Sequence, residues 1–231
     1  MKVINCTVES IEAQTSIVHK VVLLPEQPVE FKAGQYLQVV MGEKDKRPFS
    51  IANSPSSANK LELHIGADPA NSYAFEVLSK CRQEGKLTVE APLGNAFLRD
   101  SDCPAIIVAG GTGYSYAKSV VLNCLEAQAN RELTLYWGAK TAADLYELSE
   151  LEALSFSHPN FTFLPVVEEP PSDWKGHTGW VHRAVLKDIS SFTGKQVYVA
   201  GRFEMSAVIR EEFCLVGLDK NQLFGDAYAF I

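Results

Sequence analysis

No apolar run in the sequence approaches the roughly 18 residues that a membrane-spanning helix needs. A basic excess is also lacking, since 21 Lys+Arg stand against 28 Asp+Glu for a net charge of −7. General binding to a phosphate backbone requires a clustered surplus of Lys and Arg, so nucleic acid is excluded as a partner, as is a membrane. The five cysteines (Cys6, Cys81, Cys103, Cys124 and Cys214) are far apart and form no Cys-x-x-Cys. That spacing argues against a zinc site or a cysteine-ligated iron–sulfur cluster, predicts no metal, and reads as reduced thiols in a cytoplasmic protein. The opening Met1-Lys2-Val3-Ile4-Asn5 has too little apolar character, and meets Glu9 too soon, for a secretory signal. Internal repeats and low-complexity segments are absent. What is present is ordinary globular composition, 46% hydrophobic and 21% charged, in a 231-residue chain that fits one large domain or two small ones.

Two halves follow different rules. Up to about residue 100, β-branched and large apolar residues recur between turn signals around Val3 to Ile11, Ile17 to Leu24, Gln35 to Met41, Leu61 to Ile65 and Leu87 to Ala91. The clearest alternation, Leu61-Glu62-Leu63-His64-Ile65, places Leu61, Leu63 and Ile65 on one buried face. Frequent Pro and Gly breakers predict an antiparallel barrel or sandwich, with a short helix near Tyr73 to Cys81. From residue 101 on, strand and helix alternate. Ala105 to Ala109 is a continuous apolar run, as in a strand covered on both faces. Further strands are expected at Leu133 to Trp137, Phe161 to Val167, Gln196 to Ala200 and in the tail from Leu223 to Ile231. Thr141 and Asp144 form a capping box that is expected to open a helix running to about Leu154. A short helix is expected near Val181 to Lys187, and the stripe Met205, Val208, Ile209, Phe213 predicts a last helix ending at Gly217. The fold class is therefore β plus α/β: an antiparallel barrel over residues 1–100, then a doubly wound parallel unit over residues 101–231.

Gly110-Gly111-Thr112-Gly113 joins the first parallel strand to its helix. Glycines let a backbone approach a diphosphate closely, and a helix N-terminus offers free N–H groups and a positive dipole end. The full G-x-G-x-x-G fingerprint is not met, because Tyr116 stands where the third glycine would fall, and no Gly-Lys-Ser/Thr follows to make a P-loop. A tight turn without a ligand is one alternative. A nucleophile elbow is another: Gly113-Tyr114-Ser115-Tyr116-Ala117 would make Ser115 a hydrolase nucleophile, with Asp173 and His177 or His182 following in order. Gly138-Ala139-Lys140 ends the second strand without a carboxylate before Asp144, so Lys140 can attract a 2′-phosphate and both NADH and NADPH are admissible.

Arg47-Pro48-Phe49-Ser50, placed some sixty residues before Gly110-Gly111-Thr112-Gly113, resembles the ferredoxin–NADP reductase superfamily. Arg47 to Ala52, His64-Ile65-Gly66, Tyr136-Trp137-Gly138, Ala200 to Met205 and Gly225 to Ile231 are similar to one subgroup, the bacterial NAD(P)H:flavin reductases. The resemblance covers the whole chain. It implies a flavin-binding barrel, an NAD(P)H-binding α/β domain, and hydride transfer from NADH or NADPH to riboflavin, FMN or FAD. Tight flavoproteins of the superfamily hold the flavin phosphate with a Gly-x-x-Ser/Thr turn, where this chain has Asn71-Ser72-Tyr73-Ala74. Flavin is thus implied to be a dissociable substrate rather than a prosthetic group. A tight FAD reductase serving a carrier protein is the alternative within the superfamily. Relatives supply reduced flavin to luciferase, to ribonucleotide reductase activation or to ferric iron.

The same resemblance implies residue roles. Ser50 would hydrogen-bond flavin N5, with Arg47, Pro48 and Phe49 shaping the ring pocket and His64, Ile65 and Gly66 flooring it. Gly110, Gly111, Thr112, Gly113 and Tyr114 would carry the dinucleotide, and Gly201 and Arg202 end a parallel strand where open α/β sheets bind ligands. Asp226 would face the nicotinamide or protonate flavin N1. Ala200-Gly201 stands where relatives carry Cys-Gly before the last helix.

Overall fold

The computed structural model describes residues 1–128 and 130–231. Six antiparallel strands build the first unit: β1 (Lys2–Ala13), β2 (Val18–Pro25), β3 (Tyr36–Val40), β4 (Lys46–Ser50), β5 (Leu61–Gly66) and β6 (Lys86–Leu93). Their order is β4-β3-β6-β1-β2-β5. The chain leaving β4 meets the far edge through the Ala52 N–H, which donates to the Glu62 carbonyl at 2.8 Å, and so closes the sheet into a barrel. The alternation on β5 sends Leu61, Leu63 and Ile65 inward, where they are fully buried. Helix α1 (Ser72–Glu84) packs Val77, Leu78 and Cys81 into this core. The Asn71 side chain caps its start, and Gly85, at φ 61°, ends it in the left-handed conformation that favours glycine.

The second unit is a parallel sheet: β7 (Ala105–Gly110), β8 (Leu133–Ala139), β9 (Phe161–Val167), β10 (His177–Thr178), β11 (Gln196–Ala200) and β12 (Leu223–Phe224). The order β10-β9-β8-β7-β11-β12 reverses direction between β7 and β11. Helices α2 (Tyr114–Ala127) and α3 (Leu148–Ser157) cover one face, and α4 (Val181–Asp188) and α5 (Phe203–Leu215) the other. Residues of the connecting segment lie along the seam between the units: the Leu98 N–H donates to Ala33, and the Arg99 N–H to the Tyr198 hydroxyl. Among the described residues, no helix is long and apolar enough to cross a membrane.

Four local expectations need correction. Arg47 to Ser50 is itself part of a strand, β4, which tolerates Pro48 because an edge strand need not donate every N–H. The two-residue strand β10 lies between the expected strand Phe161 to Val167 and the expected helix near Val181, where the sequence shows no strand pattern. The Thr141–Asp144 capping box forms, but it opens only a 3-10 turn, Ala142–Asp144, and α3 starts separately at Leu148. Leaving the helix there buries Leu145, turns Tyr146 onto His64 of the barrel and turns Glu147 onto Lys118 of α2, the second unit's first helix. The tail keeps strand geometry only at Leu223–Phe224, after which Asp226–Ala229 coils into a 3-10 turn.

Candidate functional site

The strand order reverses between β7 and β11, and at such a reversal doubly wound sheets bind ligands in the crevice outside the carboxyl ends of the two strands. Gly110 ends β7 and Gly111–Gly113 form a 3-10 turn that runs straight into α2. The glycines serve different ends. Gly111, at φ 54°, has open space where a side chain would project, so its backbone can be approached from outside. A Cβ on Gly113 would overlap the Ala200 carbonyl, so that glycine lets α2 start against the end of β11. A Cβ on Gly110 would lie 2.9 Å from the Met205 sulfur, which places Met205 at the crevice floor beside Gly201. The Trp137 indole N–H donates to the Gly111 carbonyl at 2.9 Å and steadies the turn. The Tyr114 ring is buried and stacks on Trp137 at 3.9 Å, so at this position only the backbone is left to meet a ligand.

From the barrel side, β5 reaches the same turn: a Cβ on Gly66 would come 3.1 Å from Thr112 Cγ2. Ser50 ends β4 opposite Tyr36 on β3, and directly paired residues of neighbouring strands project from the same face. The Tyr36 ring in turn lies against Gly94, with Asp226 Oδ1 3.0 Å from the same Cβ position. Ser50, Tyr36 and Asp226 therefore share one corner at the rim. Burial raises the Asp226 carboxyl to about 6, partly opposed by the neighbouring Ala96 backbone. Burial and the neighbouring Asp226 raise the Tyr36 phenol as well.

Other residues singled out in the sequence have defined surroundings. Arg47 is buried and bonds through all three guanidinium nitrogens. It makes two hydrogen bonds to Asp45, at 2.9 and 2.6 Å, one to Glu76 at 2.7 Å, and one to the Tyr73 carbonyl at the start of α1. Pro48 is exposed, while Phe49 packs on the barrel core. His64 is buried, with Nε2 2.8 Å from Glu62 and Nδ1 2.9 Å from the Tyr146 hydroxyl; Ile65 points into the barrel. Lys140 is exposed and 3.5 Å from Glu169, and the Glu168 and Glu169 backbones bond to Ala139 and Lys140. The end of the second strand thus carries carboxylates contributed by the segment just after β9, Glu168 and Glu169, which the local sequence hides. Arg202 is exposed at the start of α5.

The hydrolase alternative fails on geometry. The Ser115 hydroxyl donates to the Thr112 carbonyl at 2.9 Å, His177 pairs with Asp188 at 2.9 Å, and His182 faces Glu212. Sequence reasoning missed Tyr36 and Gly94 at the crevice, which carry no local motif, and read Met205 only as part of a helix-packing stripe, whereas it lies against Gly110 and Gly201.

A parallel sheet that presents a glycine turn at its reversal point, docked on a barrel whose strand ends meet that turn, defines a two-domain nicotinamide-dependent oxidoreductase of the ferredoxin reductase type. The model of the oxidoreductase NAD-binding domain matches residues 107–211. Among solved structures, the Amycolatopsis cytochrome P450 reductase shares the fold with a TM-score of 0.85 at 24% identity, over 97% of this chain and 69% of that one. The Neisseria gonorrhoeae ferredoxin NADP+ reductase with bound FAD and NADP gives 0.81 at 17% identity, over 97% and 98%. Sequence similarity is much higher to the NAD(P)H-flavin reductase of Aliivibrio fischeri, 47% identical over 99% of both chains. The Vibrio harveyi NAD(P)H-flavin reductase is 45% identical over the same shares. The chain belongs to the NAD(P)H-flavin reductase family.

Proposed function

We propose that the protein is an NAD(P)H:flavin oxidoreductase whose flavin is a substrate that binds, accepts a hydride and leaves. The observation that carries the reading is the convergence of two strand ends on one crevice. The turn at Gly110–Gly113 meets β5 at Gly66, and the Ser50–Tyr36–Asp226 corner stands at the rim. In this reading residues 1–100 hold the flavin and residues 101–231 the nicotinamide nucleotide. Gly111 and its neighbours, with the dipole of α2 behind them, receive the diphosphate. Gly201 and Arg202 border the nicotinamide. Ser50 offers its hydroxyl to the flavin ring, and Asp226 holds a proton in the range where flavin chemistry proceeds. The chemistry is supplied by the two bound reactants, and the protein contributes orientation and exclusion of water.

Dissociability is supported by the state of the cations near α1. Arg47 is neutralised by Asp45 and Glu76, and Lys80 pairs with Glu84 at 2.7 Å. Asn71 also takes the Tyr73 N–H at the helix start. A flavin phosphate therefore finds little unclaimed positive charge, and riboflavin, FMN and FAD are expected to be used within about tenfold of one another, the effect of roughly one charged hydrogen bond. Desalting the purified protein and then comparing kcat/KM for the three flavins tests this. Retention of stoichiometric FAD would favour a tight FAD reductase of a carrier protein instead. NADH and NADPH are both admitted, with Lys140 and Glu169 acting in opposite senses on a 2′-phosphate. The reading includes a cytoplasmic location and transfer of reduced flavin to an acceptor such as luciferase, the ribonucleotide reductase activating system or ferric iron.

A further inference from the structure

Lys118, one turn into α2, lies between two carboxylates drawn from the two halves of the molecule. Its Nζ is 2.8 Å from Glu62 Oε1 on β5 and 2.7 Å from Glu147 Oε1 just before α3. Only 17% of the Lys118 side chain, 18% of Glu62 and 10% of Glu147 are exposed. Their other partners are polar too: His64 meets Glu62, and the Tyr114 hydroxyl donates to Glu147 at 2.7 Å. Burial by itself would raise the Glu62 carboxyl, yet His64 and Lys118 together hold it down at about 2. The two glutamates likewise keep Lys118 charged despite its burial. Glu62, His64 and Glu147 place ligand-type atoms within 4.8 Å of one another, but the Lys118 ammonium already supplies the positive charge there.

A buried ion pair contributes little net stability, because desolvation offsets the attraction; fixing a unique registry is its best-attested use. Here the registry concerns the catalytic crevice. Helix α2 begins at the Gly111–Gly113 turn, and β5 runs from Glu62 toward Gly66, which abuts Thr112. Further along α2 the seam stays polar: the Ser119 hydroxyl donates to the Asn53 carbonyl at 2.8 Å, and the Ser54 hydroxyl donates to Glu126. Directional pairs of this kind resist sliding in a way an apolar contact does not.

We propose that Lys118 and Glu62 are positioning residues, whose ion pair across the seam sets the height of the glycine turn over the barrel and with it the approach of nicotinamide to flavin. The inference rests on the flavin reductase reading. Neither residue touches a reactant, and their effect is geometric. Misplacement by about 1 Å in such a reaction costs about 100-fold in rate.

Glu62→Gln and Glu147→Gln each remove one carboxylate from the same lysine with little change of shape, and only the first cuts the seam. In anaerobic stopped flow, hydride transfer from NADH to saturating riboflavin should fall about 10–100-fold in Glu62→Gln. It should stay within about twofold of wild type in Glu147→Gln. Riboflavin affinity, read without NADH from quenching of flavin fluorescence, should stay within about twofold in both. The deuterium isotope effect from 4-deuterated NADH should rise in Glu62→Gln alone. Lys118→Met/Glu62→Gln/Glu147→Gln, which removes all three charges and leaves none of them stranded, gives the same readouts if Glu62→Gln does not fold. Equal losses in the two single variants overturn the positioning role. So does an unchanged rate in Glu62→Gln, or a rate loss matched by lost riboflavin affinity. Wild-type protein without riboflavin-dependent NADH oxidation would instead overturn the flavin reductase reading.

Discussion

Gly66 and Thr112 meet across the seam: a Cβ on the glycine would come 3.1 Å from the threonine methyl, so the last residue of a barrel strand abuts the turn of the nucleotide unit. At that distance the methyl must move by a few tenths of an ångström to admit an alanine. Gly66→Ala is therefore expected to cost only about 1 kcal/mol in stability, as mild overpacking does, while slowing hydride transfer several-fold. Thr112→Ser removes the methyl, and the double variant should recover the rate. Failure of Thr112→Ser to rescue would separate the contact from catalysis.

Gly113→Ala is a harsher case. Its backbone is ordinary helical, at φ −56°, so conformational preference does not enter, and only the overlap with the Ala200 carbonyl matters. Because that neighbour is backbone and cannot rotate away, a loss of about 2–3 kcal/mol is expected. Chemical denaturation would register it as a lower midpoint at unchanged slope.

How far the sequence led is clearest at particular residues. The alternation of β5, the apolar run of β7 and the glycine turn were all legible, because each depends on neighbours along the chain. The β4 strand was not, since Pro48 reads as a breaker and is permitted only by its edge position. His64 reads as a pocket-flooring residue on the polar side of β5, and that side turns out to be covered by the second unit. Its cover includes Tyr146, brought in by the unexpected break between the capping box and α3. Glu62 and Lys118 are 56 residues apart, and no local pattern links them. Packing between the two units decides what these residues do.

Ser50→Ala should lower kcat/KM for flavin about 10–100-fold, since the hydroxyl proposed to meet the flavin ring is lost, while NADH affinity is unaffected. Isothermal titration with NADH alone and steady-state kinetics with riboflavin separate the two. Unchanged flavin kinetics would remove Ser50 from the site.

Asp226 gives a pH signature. Its carboxyl titrates at about 6 in the folded protein, against about 3.9 in an unfolded chain. The folded state thus favours the protonated form. That contribution is complete below the unfolded value and is lost as pH rises through the folded one. Asp226→Asn should accordingly be more stable than wild type by about 1–2 kcal/mol above about pH 7, after allowance for solvent screening. The gap should close on acidification and vanish near pH 4. Urea midpoints across this range check it, and a gap independent of pH would contradict the assignment.

Anaerobic oxidation of NADH by the desalted protein, followed as riboflavin is titrated in, tests the central claim most directly. Slow oxidation without flavin, rising to a plateau with added riboflavin and consuming one NADH per flavin reduced, is the predicted result. A rate independent of added flavin would contradict the account of the crevice as the meeting place of two dissociable reactants.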